Sequence, residues 1–271
     1  MAARTVLITG CSSGIGRATA ARLAAGGWTV YATARRADSL AELEAAGCRT
    51  LALDVTDEAS MRAAVGAVEG PLGVLINNAG YSQSGALETL PMDDVRRQFE
   101  TNVFGLLRMC QLVLPGMRAA GAGTIVNLSS MGGKLTFPGG GAYHATKYAV
   151  EALSDALRME VARFGIDVVC VEPGLIRTEF GETAATSVGA DDGPYADFNA
   201  SVARSTRGAY AGPLSRLGGD ADAVARAIER ALGKDRPPTR VPVTPSARVL
   251  MGLHGLLPDR AWDGVVTRAF R

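Results

Sequence analysis

At 271 residues, with 47% hydrophobic and 20% charged side chains and 33 glycines, the chain has the make-up of a globular protein rich in tight turns, which excludes a disordered or fibrous one. A net charge of +1, with no run of like charges and no basic stripe interleaved with aromatics, excludes a nucleic-acid footprint and directs attention to a small-molecule partner. Cys11, Cys48, Cys110 and Cys170 are too widely spaced for a disulfide scaffold or metal motif, so reduced thiols and no metal are expected. The opening apolar run Thr5-Val6-Leu7-Ile8 is too short for a signal peptide or membrane span, and a cytoplasmic enzyme is the simplest expectation.

Residues 4 to 53 alternate short β-branched runs with helical ones. Val6 to Thr9 reads as a strand, Gly14 to Ala25 as a helix, Trp28 to Thr33 as a strand, Asp38 to Ala46 as a helix and Thr50 to Leu53 as a strand. That alternation predicts βαβ units and a parallel α/β sheet. Between the first strand and helix lies Thr9-Gly10-Cys11-Ser12-Ser13-Gly14-Ile15-Gly16. Its glycines permit a tight turn and close backbone approach, and the helix start offers unpaired N–H groups and a positive dipole end to a pyrophosphate. The spacing is Gly-x-x-x-Gly-x-Gly, so the strand-turn-helix context carries the inference more than the glycine count does.

The same segment also fits the Gly-x-Ser-x-Gly elbow of a serine hydrolase, with Ser12 as nucleophile. That elbow normally follows several strands and needs an acid and then a histidine downstream, whereas this one follows the first strand and the only histidines are His144 and His254. About twenty residues past the glycine turn, a dinucleotide site presents an acid for a ribose or an arginine for a 2′-phosphate. Here stand Arg35 and Arg36, with Asp38 later, so NADP(H) is expected over NAD(H).

A helical stretch from Asp57 to Val68 leads to Gly73-Val74-Leu75-Ile76-Asn77-Asn78-Ala79-Gly80, a buried strand ending in two amides and a glycine. From Met92 to Ala119 the pattern is helical but interrupted at Asn102 and Gly105, and an amide midway along an apolar helix needs a partner or a bend. Thr124 to Leu128 reads as another strand, followed by Ser130. Tyr143 and Lys147 open the next helical run, which continues through Val150, Leu153, Leu157 and Val161. Four residues apart, phenol and ammonium share a face, and a fixed cation favours phenolate over a free phenol of pKa about 10. Tyr-x-x-x-Lys taken alone equally describes an ordinary amphipathic helix start. Lysine occurs only at Lys134, Lys147 and Lys234 in a chain whose other cations are arginine, a further reason to single out Lys147.

Ile166 to Val171 reads as a strand ending in Glu172-Pro173-Gly174-Leu175-Ile176-Arg177-Thr178. Residues 179–219 lose periodicity and gain Gly, Pro, Ser and Asp, which suggests a substrate lid rather than a linker. Ala221 to Leu232 is helical, a short strand follows around Thr239 to Val243, and the extension 244–271 carries leucines at helical spacing. An apolar substrate pocket is expected from Tyr81, Met131, Leu135 and Phe137 with the lid aromatics Phe180, Tyr195, Phe198 and Tyr210.

Together, Thr9 to Gly16, Asn77-Asn78-Ala79-Gly80, Asn102, Ser130 with Tyr143 and Lys147, and Pro173-Gly174 with Thr178 resemble the short-chain dehydrogenase/reductase superfamily over nearly the whole chain. Leu7 to Gly16, Val30 to Thr33 and Ser130-Met131-Gly132-Gly133 look most like the branch with estradiol 17-beta and retinol dehydrogenases. The resemblance implies one NAD(P)-binding domain over 1–271, a doubly wound Rossmann-type parallel sheet of about seven strands with helices on both faces. It implies Tyr143 as general acid and base, Ser130 holding the carbonyl oxygen, Lys147 on the nicotinamide ribose and lowering the Tyr143 pKa, and Asn102 linking Lys147 to a proton relay. Gly10, Ser12, Ser13, Gly14, Ile15 and Gly16 would hold the phosphates. Asp54 and Val55 would meet the adenine, Asn78, Ala79 and Gly80 the adenine ribose side, and Pro173, Gly174, Ile176 and Thr178 the carboxamide.

The activity implied is NADPH-dependent reduction of a hydrophobic ketone, or the reverse oxidation of a secondary alcohol, steroid-like, retinoid-like or polyketide-like. A homodimer or homotetramer is implied, with the helices flanking Asn102 and Tyr143 in contact. The rival from another class is a non-catalytic NADP(H)-binding redox sensor, against which an intact Ser130, Tyr143 and Lys147 argue. His144, beside Tyr143 but about 100 degrees around the helix, is expected as a supporting or surface group.

Overall fold

The computed structural model describes residues 3–188, 193–211 and 213–270. The strands are β1 (Thr5–Ile8), β2 (Thr29–Ala34), β3 (Arg49–Ala52), β4 (Val74–Asn77), β5 (Gly123–Leu128), β6 (Ile166–Glu172), β7 (Ile176–Arg177), β8 (Gly219–Asp220) and β9 (Arg240–Pro242). Seven of them form one parallel sheet in the order β3-β2-β1-β4-β5-β6-β9. The chain runs outward from β1 to β3 and then resumes on the other side at β4, so the crevice beyond the carboxyl ends of β1 and β4 is the switch point at which such sheets bind ligands.

The helices are α1 (Gly14–Ala25), α2 (Ala41–Ala45), α3 (Glu58–Gly66), α4 (Met92–Phe99), α5 (Leu106–Ala120), α6 (Gly141–Val161), α7 (Glu179–Thr186), α8 (Ala196–Ala211), α9 (Ala221–Leu232), α10 (Pro245–Leu256) and α11 (Asp259–Ala269). Strand side chains alternate between two cores. Val6, Ile8, Ile76 and Val126 pack with Leu23 of α1 and Ile228 of α9. Leu7, Leu75 and Ile125 face the other way, onto Met61 of α3, Met109 of α5 and Val150 of α6. A strand covered on both faces reads as an unbroken apolar run, which is why these strands were visible in the sequence. The result is the doubly wound, Rossmann-type arrangement with helices on both faces.

Between α4 and α5 the helix widens into a π turn over Glu100–Gly105. A side chain at Gly105 would put its Cβ 2.4 Å from the Val55 carbonyl oxygen, so the missing Cβ lets this turn settle onto the loop after β3. Asn102 sits inside the widened turn. Such turns are often found where a helix must present an interior group.

Segment 179–219, read as non-periodic, contains α7 and α8 and runs into β8, which pairs with β7 just ahead of the segment. The helical period is hidden because α8 buries polar residues, Asn199 and Ser201, beside Val202, so apolar spacing does not mark its inner face. Residues 189–192 and 212 of the expected lid lie outside the described residues. The extension folds back as α10 and α11, with Trp262 and Val266 packed on Leu135. Among the described residues no helix is long and apolar enough to cross a membrane.

Candidate active site

The glycine turn after β1 is tied to the end of β4. Thr9 Oγ1 accepts from the backbone N–H groups of Asn78 and Ala79, each at 3.0 Å, and Asn78 Nδ2 donates to the carbonyls of Thr9 and Gly10, each at 2.9 Å. Gly10 has φ +73°, and a Cβ there would lie 2.8 Å from Ala79 Cα. At Gly16 a Cβ would lie 2.3 Å from the Gly10 oxygen. Only glycine permits both approaches.

α1 begins at Gly14, its N-cap Ser13 makes no side-chain cap bond and its first turn holds no acid, so the N–H groups and the positive end of the dipole are uncompensated. Such a terminus fits an anionic pyrophosphate. Thr178, the N-cap of α7, closes on Gly14 from the far side of the crevice. Arg35 and Arg36 leave the end of β2 exposed to solvent, and Arg36 pairs with Asp38 at 3.5 Å. Asp54 spends one carboxylate oxygen on the Thr56 backbone N–H and hydroxyl, while Val55 is buried against Gly105. Gly174 lies against the Thr244 and Ser246 hydroxyls, and Pro173 accepts at its carbonyl from Met131 N–H at 2.9 Å.

Beyond β5 the residues expected to react converge. Ser130 Oγ accepts from Gly132 N–H at 3.0 Å, and the Tyr143 phenol shares a hydrogen bond with the same serine. The Tyr143 ring packs on Phe180 at 5.5 Å between centroids and faces the Tyr210 phenol. Lys147 lies buried beneath it, its Nζ 5.7 Å from the ring centroid and donating to the Leu128 carbonyl at 2.7 Å. Asn102 Nδ2 donates to Thr146 Oγ1 at 3.1 Å and to the Tyr81 carbonyl at 2.9 Å, so it reaches α6 one residue before Lys147.

Burial pushes the Tyr143 hydroxyl well above the ordinary phenol range, with Tyr210 adding to the rise and the Ser130 hydrogen bond opposing it. The expected depression by Lys147 does not appear in the protein alone, because the ammonium is committed to Leu128 and stands off the ring. Tyr143 therefore holds its proton. Burial also lowers Lys147 to about 8. His144 is neither exposed nor charged: Phe137 N–H donates to its Nδ1 at 3.2 Å, and burial drops it to about 4.

The expected pocket residues divide. Phe180, Tyr210 and Met131 gather near Tyr143, Met131 packing with Leu175 and Tyr210. Tyr195 and Phe198 instead line a neighbouring apolar groove with Leu87 and Val266, and Phe137 stands between the two, lining that groove while packing with the Met131 cluster and against His144, whose ring packs on Tyr143. Tyr81 turns its phenol to Arg97 and Asp94 of α4, within electrostatic reach of Arg35. Leu135 is wholly enclosed under Trp262, in core rather than in a pocket. Neither imidazole meets Ser12 among the described residues: His144 packs on Phe137 and Tyr143, and His254 on Trp262, which removes the serine-hydrolase alternative.

Sequence reasoning passed over Thr9 as a site residue, although a hydroxyl at a strand end before a glycine turn was a readable signal. It also missed the buried pair in which Asn77 Nδ2 donates to Asn127 Oδ1 at 2.9 Å, where an amide inside each apolar strand was the clue.

A model of the short chain dehydrogenase family matches residues 4–188. The chain is 38% identical over 264 residues to a 3-ketodihydrosphingosine reductase of Bacteroides thetaiotaomicron, a match covering 96% of this chain and 95% of that one. It is 31% identical to an NADPH-dependent 3-dehydrocapnine reductase of Ornithobacterium rhinotracheale, over 97% of this chain and 95% of that one. Among solved structures, a short-chain dehydrogenase from Streptomyces avermitilis superposes with a TM-score of 0.80 at 39% identity, covering 93% of this chain and 92% of the other.

Proposed function

Because the chain belongs to the short-chain dehydrogenase/reductase superfamily and is an NAD(P)-dependent oxidoreductase, we propose that it reduces a hydrophobic ketone with NADPH, or runs the reverse oxidation of a secondary alcohol. The observation that carries this reading is the Tyr143 hydroxyl, hydrogen-bonded to Ser130 and set above a buried Lys147. A nicotinamide held at this crevice would supply hydride-donor chemistry toward the carbonyl carbon. Tyr143 gives its proton to the carbonyl oxygen, and Ser130, already steadied by Gly132 N–H, turns its hydroxyl to the same oxygen. Lys147 has N–H donors beyond the one given to Leu128, and these suit ribose hydroxyls. Asn102, joined to α6 through Thr146, keeps the lysine's helix turn in register with the π turn.

In this reading the chain is one nucleotide-binding domain, with 179–219 as the substrate cover and 244–271 as an extension behind it. The glycine turn and the open end of α1 hold the pyrophosphate, Arg35 and Arg36 select a 2′-phosphate, and Asp54 with Val55 borders the adenine. The relative named as NADPH-dependent supports the cofactor choice, and the reductase names of both relatives support the reductive direction. Phe180, Tyr210 and Met131 wall the reacting carbonyl in apolar and aromatic surface. Exposed Phe104, Tyr148 and Met159, on the π turn and α6, support a homo-oligomer through these helices.

The test is NADPH consumption over a carbonyl panel running from small charged sugars to apolar ketones, 3-ketodihydrosphingosine included. Turnover rising with apolar surface is expected. Turnover confined to the charged sugars would overturn the substrate class.

A further inference from the structure

α6 carries Tyr143, Lys147, Glu151 and Asp155 at intervals of four, so phenol, ammonium and two carboxylates descend one helix face. The mechanism above uses only the first two. Glu151 is nonetheless 4% exposed and fully engaged: Lys134 Nζ lies 2.9 Å and Arg240 Nε 3.2 Å from its Oε2, and the Cys170 thiol donates to Oε1 at 3.2 Å. Arg240 also reaches Asp155 at 2.6 Å and comes within 3.3 Å of Glu172. The loop after β5, helix α6, strand β6 and the edge strand β9 thus meet at a single carboxylate. Apolar side chains of similar volume would often serve stability as well or better than such a buried network, so a role beyond stability is worth seeking.

Lys147 supplies it. Lys147 is 6% exposed, and burial draws its ammonium toward the neutral form while Cys170 and Glu151 oppose that fall. The charged or titratable groups that bear on it directly are Tyr143 and Glu151 on α6 and Cys170 on β6; Lys134 from the loop after β5 and Arg240 from β9 reach it through Glu151, Glu172 lies beyond Arg240, and the π turn presents neutral Asn102. We propose that Glu151 is a positioning residue for the reaction: clamped by Lys134 and Arg240, its carboxylate supplies the counter-charge, one helical turn away, that holds the buried Lys147 ammonium beneath Tyr143. Its oxygens are taken by other partners, so it acts through space and not as a contact pair. The inference rests on the reading of Tyr143 and Lys147 as the reacting pair.

Opposite signs make the test. In the full chain with saturating NADPH and an apolar ketone, Glu151→Gln keeps shape but removes the charge, and the alkaline limb of the kcat profile moves about one unit to lower pH, the ketone KM staying within about twofold. Lys134→Met removes a cation that screens Glu151, and the limb moves the other way by about half a unit. Glu151→Asp restores most of the wild-type profile. Structural damage would scale the curves without moving them in opposite directions. Superimposable profiles in the Gln and Met variants overturn the proposal, and if Glu151→Gln does not fold, the Lys134→Met shift decides alone. Tyr143→Phe in the same assay separates the two claims: if it is inactive while the profiles coincide, only the role of Glu151 falls, and if it is active, the reading beneath falls.

Discussion

Replacing Tyr143 by Phe removes one hydroxyl and little else. The ring keeps its packing against Phe180, and Ser130 keeps the hydrogen bond from Gly132 N–H at 3.0 Å, so the fold loses one hydrogen bond, about 1 kcal/mol. The chemistry loses its proton donor. A positioned general acid contributes about 10²- to 10⁴-fold, which corresponds to about 2.7 to 5.5 kcal/mol in the barrier, several times the folding cost. The neighbours of this ring are poor stand-ins at neutral pH: burial lowers His144 to about 4 and pushes Tyr210 up to about 12. The measurement is single-turnover oxidation of NADPH with an apolar ketone, alongside cofactor affinity from nicotinamide fluorescence. A rate loss of at least about 100-fold with affinity within about threefold is expected. Activity within about threefold of wild type would show that the proton comes from elsewhere.

Three further outcomes follow from the same geometry. Gly16→Ala places a Cβ 2.3 Å from the Gly10 oxygen and 2.5 Å from Asn78 Nδ2, so urea unfolding should register a loss of about 1 to 3 kcal/mol and a fluorescence titration a collapse of NADPH affinity; wild-type values in both would mean the turn is not the cradle. Arg35→Asp replaces a phosphate partner with a repelling charge, and the ratio of kcat/KM for NADPH over NADH should fall at least about tenfold, about 1.4 kcal/mol; an unchanged ratio would remove Arg35 from phosphate selection. Burial, with Glu151 adding to it, raises Glu172 to about 7. A folded value above the unfolded one contributes stability that is full below the unfolded pKa and lost as pH rises through about 7, so Glu172→Gln should leave stability near wild type at acid pH and raise it by about 1 to 3 kcal/mol above neutrality; equal urea midpoints at both ends would refute the shift.

How far the sequence could be read varied with the kind of signal. The interior strands β1, β4, β5 and β6 were legible because each is covered on both faces and so is apolar throughout. The π turn announced itself through Asn102 and Gly105, since an amide and a glycine inside a helix demand a local reason. α8 was not legible, because it buries Asn199 and Ser201 and its inner face carries no apolar period. The apolar and aromatic residues taken together as a pocket were sorted only by folding: Tyr81 turned to α4, Tyr195 and Phe198 went to a groove of their own, and Leu135 sank into core.

The order of strands and helices through β6, the glycine turn and the placing of Tyr143 and Lys147 on one helix face were determined by the sequence alone, because each depends on residues within a few positions of one another, where periodicity and steric permission act. The proton held on Tyr143, the neutral His144 and the gathering of Lys134, Glu151, Cys170, Glu172 and Arg240 below Lys147 were decided by tertiary structure. Charge states follow from desolvation and from neighbours brought together over a hundred residues of chain, and neither has any trace in local spacing.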